Sequence, residues 1–227
     1  SNLMIFILIG VLYTLPIIFF NFVINRYDTE LKKMPYTAED FGREILDQFG
    51  LQNVEIEPTN TTDHYDPELK LIRIKKERLK RKSITAIAII CHEIGHAIQD
   101  RDGYAPLKRR QIIIKYTEWI QRLTVGITYI GIAPIIATGM LPLIKFIALF
   151  MVMGILTIVV LHLTNLDVEF DASFNKALPI LRENIPQEYH KQCNYILLAA
   201  AFTYVVSALS SVFRLRFWLI FLRSIKR

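Results

Sequence analysis

Residues Ser83–Asp102 read SITAIAIICHEIGHAIQDRD, and at their centre His92-Glu93-Ile94-Gly95-His96 follows the pattern H-E-x-x-H. On an α-helix, residues four apart share a face, so both imidazoles can reach one metal ion. Glu93 lies beside them, placed to take a proton from a water that the metal activates. The bland alternative is two core histidines and a buried acid at this spacing by coincidence. Composition alone produces that in on the order of one such chain in a hundred. A carboxylate buried in so apolar a stretch without a partner is costly, and zinc supplies the partner.

The stretch has the marks of a helix. Ser83 can cap it, Ile84 to Ile90 is apolar, and Gly103 can end it after Asp100, Arg101 and Asp102. Upstream, Thr37 caps a short helix over Ala38 to Phe49, with Gly50 as its stop. Asn53 to Glu57 (NVEIE) and Leu71 to Lys76 (LIRIKK) alternate like strands around a loop, Asn60 to Glu68 (NTTDHYDPE). The pair reads as a β-hairpin leading into the H-E-x-x-H helix. Its free edge can hold an extended peptide by main-chain hydrogen bonds, or the hairpin can simply cover the helix.

Downstream, a helix opening at Pro106 turns apolar from Leu123 to Met140, and Leu141 to Leu163 is a second apolar run. The link Thr138 to Pro142 is short and uncharged, so the two form a transmembrane hairpin that returns the chain to the side of His92 and His96. His162, at the end of that run, is a minor ligand candidate beside its ordinary reading as an interfacial histidine. Asn165 to Pro179 (NLDVEFDASFNKALP) follows with three carboxylates, Asp167, Glu169 and Asp171. It is the only acidic cluster after the motif, and a third zinc ligand comes from here.

Charge is unevenly spread. Residues 25–110 hold 16 of the 27 Lys and Arg and 15 of the 21 Asp and Glu, while long apolar runs lie outside. That is a membrane protein carrying a polar insert, and the net charge of +6 needs no nucleic acid. Leu3 to Ile24 carries no charge and is long enough to span a bilayer. Arg26, Lys32 and Lys33 directly after it place the insert on the cytoplasmic side. Lys75 to Lys82 (KKERLKRK) reads as a solvated face or a lipid-contacting patch. Gln192 to Phe213 is a further apolar stretch, followed by Arg214, Arg216, Arg223, Lys226 and Arg227, and either spans or lies in the interface. Two cysteines, Cys91 and Cys193, make no disulfide framework.

Five segments in order, DHYDP (63–67), AIAIICHEIGHAIQ (86–99), GYAPLK (103–108), VEFDAS (168–173) and AAAFTYVVSAL (199–209), resemble the YugP-like neutral zinc metallopeptidases of bacterial membranes. The resemblance implies a membrane-embedded, zinc-dependent peptidase, distantly similar to the HtpX-type peptidases. In those relatives the third ligand is the first Glu of an E-x-x-A-D pattern, which maps onto Glu169 with Ser173 in place of the Asp. Asp171 is a candidate to support the ligands from behind. The side-chain period agrees, because Phe170, Phe174 and Leu178 recur as on a helix. On such a helix Glu169 shares a face with Ala172 and Ser173, while Asp167 and Asp171 point largely away.

The expected protein is mainly α and membrane-embedded, with transmembrane helices around a zincin-like α+β insert. Its parts are an anchor (3–24), the cytoplasmic catalytic insert (25–110), a helix and transmembrane hairpin (111–163), a third-ligand helical segment (164–191) and a C-terminal transmembrane or interfacial helix (192–227). One Zn2+ held by His92, His96 and Glu169 in gluzincin-like fashion, with Glu93 as general base, hydrolyses a peptide or protein substrate, membrane proteins included. His64, Tyr65 and Tyr204 are candidates to bind substrate or stabilise the oxyanion. The rivals are a site-2-type intramembrane protease and a non-catalytic zinc-stabilised scaffold. Against the first, Ser83 to Gln99 is short for a span and is pressed by charge at both ends.

Overall fold

The structure, a computed structural model, describes residues 2–139 and 141–225. The chain forms two compact units, one from Ser1–Leu107 with Asp167–Tyr204, the other from Lys108–Leu166 with Val205–Arg227.

The first unit is built on α4 (Ile84–Arg101), which the local chemistry delimits at both ends. The Ser83 hydroxyl accepts from the Ala86 amide, and Gly103 takes φ +67° just beyond the last turn. Around α4 pack α1 (Asn2–Arg26), α2 (Ala38–Gln48) and a small sheet, β1 (Glu55–Thr59), β2 (His64–Asp66) and β3 (Leu71–Lys75). The single-turn helix α3 (Lys76–Leu79) joins β3 to α4. Thr37 caps α2 by accepting from the Asp40 amide. Phe41, Ile45 and Leu46 of α2, Ile72 and Ile74 of β3, and Ile87, Ile90 and Ile94 of α4 are fully buried. Each such side chain contributes roughly 1.5–3 kcal/mol.

The sheet departs from the expected hairpin. Its order is β1-β3-β2, with β1 parallel to β3 and β2 antiparallel to it. The segment between β1 and β3 is therefore a crossover, and β2 lies inside what reads as a loop. Three residues with only Tyr65 buried are too few to show a period of two. Pro58 fits β1 because an edge strand has amides that need no partner.

Three of the six basic residues in the run 75–82 make internal ion pairs. Arg78 pairs with Asp63, Lys80 with Glu39, and Arg81 with Asp28. Asp28 also accepts from the Ser83 hydroxyl at 2.8 Å, and Thr85 donates to the Ile24 carbonyl at 2.6 Å. These bonds use the free end of α1 and tie it to the start of α4.

The second unit comprises α5 (Ala105–Thr138) from Lys108, α6 (Leu141–Phe170) up to Leu166, and α8 (His190–Ile225) from Val205. Gly154 of α6 lies against Thr124 of α5, and Gly131 of α5 against Ile147 of α6. Small residues of this kind let membrane helices pack closely. Outward apolar side chains such as Ile130 and Ile136 are bare. Among the described residues, three helices are long and apolar enough to cross a membrane, Ala105–Thr138, Leu143–Asn184 and Gln187–Arg216, and Thr14–Arg26 of α1 is a shorter apolar helix. The turn between α5 and α6 passes Gly139 at φ +65°. Met140 in that turn, and Lys226 and Arg227 of the terminal basic group, lie outside the described residues.

Candidate metal centre

α4 presents His92 and His96 one turn apart, with ring centroids 4.7 Å from each other. The opposing surface is the end of α6 and the π-helical segment that continues it, Asp171–Ala177, before α7 (Leu178–Asn184). Close approach is allowed by Gly95. A Cβ there would lie 2.6 Å from the Ala172 carbonyl oxygen, so this motif position has no room for a side chain.

At that crossing Glu169 reaches both imidazoles. Its Oε2 lies 3.0 Å from His92 Nε2 and 3.5 Å from His96 Nε2. One ligand atom from each of the three residues falls within 4.8 Å of the other two, and Glu169 and His96 are buried. This described group leaves out Asp167, Asp171 and His162.

The far side of each ring is held. His92 Nδ1 lies 2.9 Å from Ser173 Oγ, and His96 Nδ1 lies 3.0 Å from Gln99 Oε1. Gln99 donates through Nε2 to the Val168 carbonyl and to Asp171 Oδ2, both at 2.8 Å. Both partners of that nitrogen are acceptors, so the amide oxygen must face His96, and His96 Nδ1 must carry the proton. In the neutral ring Nε2 then offers a lone pair towards Glu169, an arrangement that a cation between them satisfies. A divalent ion with these three ligands satisfies both imidazoles and the carboxylate together. The donor set therefore fits zinc.

Ser173 and Asp171 divide the backing work. Ser173 touches His92 directly. Asp171 does not point away as regular helical spacing implies; it supports His96 through Gln99 and accepts from Asn175 Nδ2 at 2.9 Å. With backbones in contact at Gly95 and Ala172, side chains flanking the contact also reach across. Gln99 was not singled out in the sequence; its signal is its place three residues after His96, on the same face.

Glu93 is 7% exposed. Burial pushes its carboxyl up, His92 and His96 pull it down, and Glu169 and Asp63 add to the rise. It lines a cleft of about 290 Å3 with His92, Asp63 and Arg78. The other walls come from Phe20 and Ile24 of α1 and from Ile196, Leu197, Ala200 and Tyr204 of α8. Of the three donor candidates, Tyr204 lines this cleft. The Tyr65 hydroxyl instead donates to Asp100 Oδ2 at 2.6 Å, and His64 Nδ1 lies 2.8 Å from the Thr62 carbonyl oxygen. Neither His64 nor Tyr65 is among the cleft-lining residues.

Comparison with known proteins gives the family. The family described as "Putative neutral zinc metallopeptidase" matches residues 2–223. The chain belongs to that family. It is similar to a Bacillus subtilis (strain 168) protein described as "Putative membrane protease YugP", 35% identical over 192 residues that cover 82% of this chain and 81% of that protein. No solved structure matches the chain. Zinc is the metal that the family's description implies, and His92, His96 and Glu169 are the described residues grouped to hold one.

Proposed function

We propose that the protein is a membrane-bound zinc endopeptidase, with His92, His96 and Glu169 as ligands and Glu93 as general base. The observation that carries this reading is the convergence of both Nε2 atoms on Glu169 Oε2, with His96 held in the ligating tautomer by Gln99. Zinc bound there supplies Lewis acidity, polarising a peptide carbonyl and lowering the pKa of water towards ~7. Glu93 takes the proton of the attacking water and returns it to the leaving amine. The carboxyl suits that task, since burial and its acidic neighbours raise its proton affinity. Tyr204 can donate to the developing oxyanion from the cleft wall. Gln99, Asp171 and Ser173 hold the imidazoles in place.

In this reading the first unit is the zincin-like catalytic body, and the apolar helices make a multi-pass protein of the cell membrane. The lysine and arginine distribution puts the site on the cytoplasmic side. The decisive experiment is Glu93→Gln in the purified full chain. Bound zinc and thermal stability should persist while peptide hydrolysis falls by about 10²–10⁴-fold. Undiminished cleavage would remove Glu93 from its role. Orientation is read by placing a cysteine at Thr61. Membrane-impermeant thiol reagents should leave it unlabelled in intact cells, and ready labelling overturns the assignment.

A further inference from the structure

The cleft joins a charged side to an apolar one. One side carries Asp63 and Arg78, paired with each other and each about 12% exposed. The apolar side is made by residues at helical spacing on three helices, which also bring Asn21, Thr203 and Tyr204 to the cleft, while Thr62 and Lys75 line it elsewhere. Ala88 and Ile89 sit one turn before His92 and Glu93 on α4. Ile196 and Ala200 lie one turn apart on α8, and Phe20 and Ile24 one turn apart on α1. Ala88 is fully buried as a floor, whereas Ala200 is only half-buried. The cleft, at about 290 Å3, takes one or two side chains rather than a folded element.

We propose that this apolar side is a substrate side-chain pocket, so that the enzyme cleaves peptide bonds flanked by a bulky apolar residue such as Leu or Phe, with Ala200 setting the size it accepts. The inference rests on the peptidase reading above and adds its substrate class. The physical basis is that His92 and Glu93 share helical faces with Ala88 and Ile89. A bond positioned at the first pair therefore places a neighbouring side chain over the second. An apolar side chain there displaces water from these apolar walls, and a charged one would lose hydration against them. Two alanines among bulkier neighbours leave the volume that the side chain fills.

The test uses zinc-loaded full-length protein in detergent and peptides differing only in the residues flanking the scissile bond. Leu or Phe at one flanking position should exceed Ala by about 10–200-fold in kcat/KM, and Asp should be poorer still. Ala200→Phe, with zinc content unchanged, should reverse the ranking in favour of Ala. Should that variant fail to fold, Ala200→Val carries the test, losing Phe before Leu. Equal cleavage of Leu, Ala and Asp peptides by the wild type, or an unchanged ranking in the folded variants, overturns the pocket and leaves the peptidase reading standing. A zinc-loaded wild type that cleaves no peptide overturns the peptidase reading, and the pocket falls with it.

Discussion

The two sides of the candidate metal centre are built differently. α4 is regular from Ile84 to Arg101, and its two histidines meet the site simply because they are four apart. The facing side changes character inside the site, from the end of α6 at Phe170 to the π-helical Asp171–Ala177. Widened turns of this kind occur often at functional sites. Here Glu169, Asp171 and Ser173 all engage α4, Glu169 and Ser173 through His92 and Asp171 through Gln99. The difference teaches that a regular helix presents candidate ligands by period alone, whereas its irregular partner presents them by how closely it can approach.

The largest effect should follow from removing a ligand on either side. His96→Ala and Glu169→Ala should each lose most of the bound zinc by metal analysis. Asp167→Ala should keep it, and loss confined to an Asp variant would move the third ligand. Next come the residues behind the rings. Ser173→Ala and Gln99→Leu should each weaken zinc binding by about 10–100-fold in chelator competition, with the protein still folded. Wild-type affinity in both would make these hydrogen bonds incidental. The smallest effect tests the approach itself. Gly95→Ala forces a Cβ against the Ala172 carbonyl and should cost about 1–3 kcal/mol in thermal unfolding. Gly126→Ala, with open space around its Cβ, should be neutral or mildly stabilising. Equal behaviour of the two glycines would show that the contact does not matter.

Much of the polar framework was hidden from the sequence for a physical reason. The run 75–82 reads as surface charge because charge density says nothing about partners. Asp28, Glu39 and Asp63 are far from it in the chain and near it only after folding. The sheet's topology is hidden for a like reason: alternation locates β1 and β3 within about two residues, but pairing direction depends on the path between them. α1 reads as an anchor, and nothing in an apolar run reveals that Phe20 and Ile24 also wall a cleft.

Local rules settle what lies within a few turns of one helix: the Ser83 cap, the end at Gly103, the shared face of His92 and His96, and the carboxylate beside them. The resemblance to a known pattern adds Glu169, because the pattern stores a contact the residues cannot state alone. Everything that depends on two distant segments meeting was left to the folded chain. That includes Gln99 as the link between His96 and Asp171, Ser173 behind His92, and the apolar side shared by α1, α4 and α8. Periodicity fixes which face a residue occupies, while contact across faces depends on distance, and at this site the absence of one Cβ at Gly95 sets that distance.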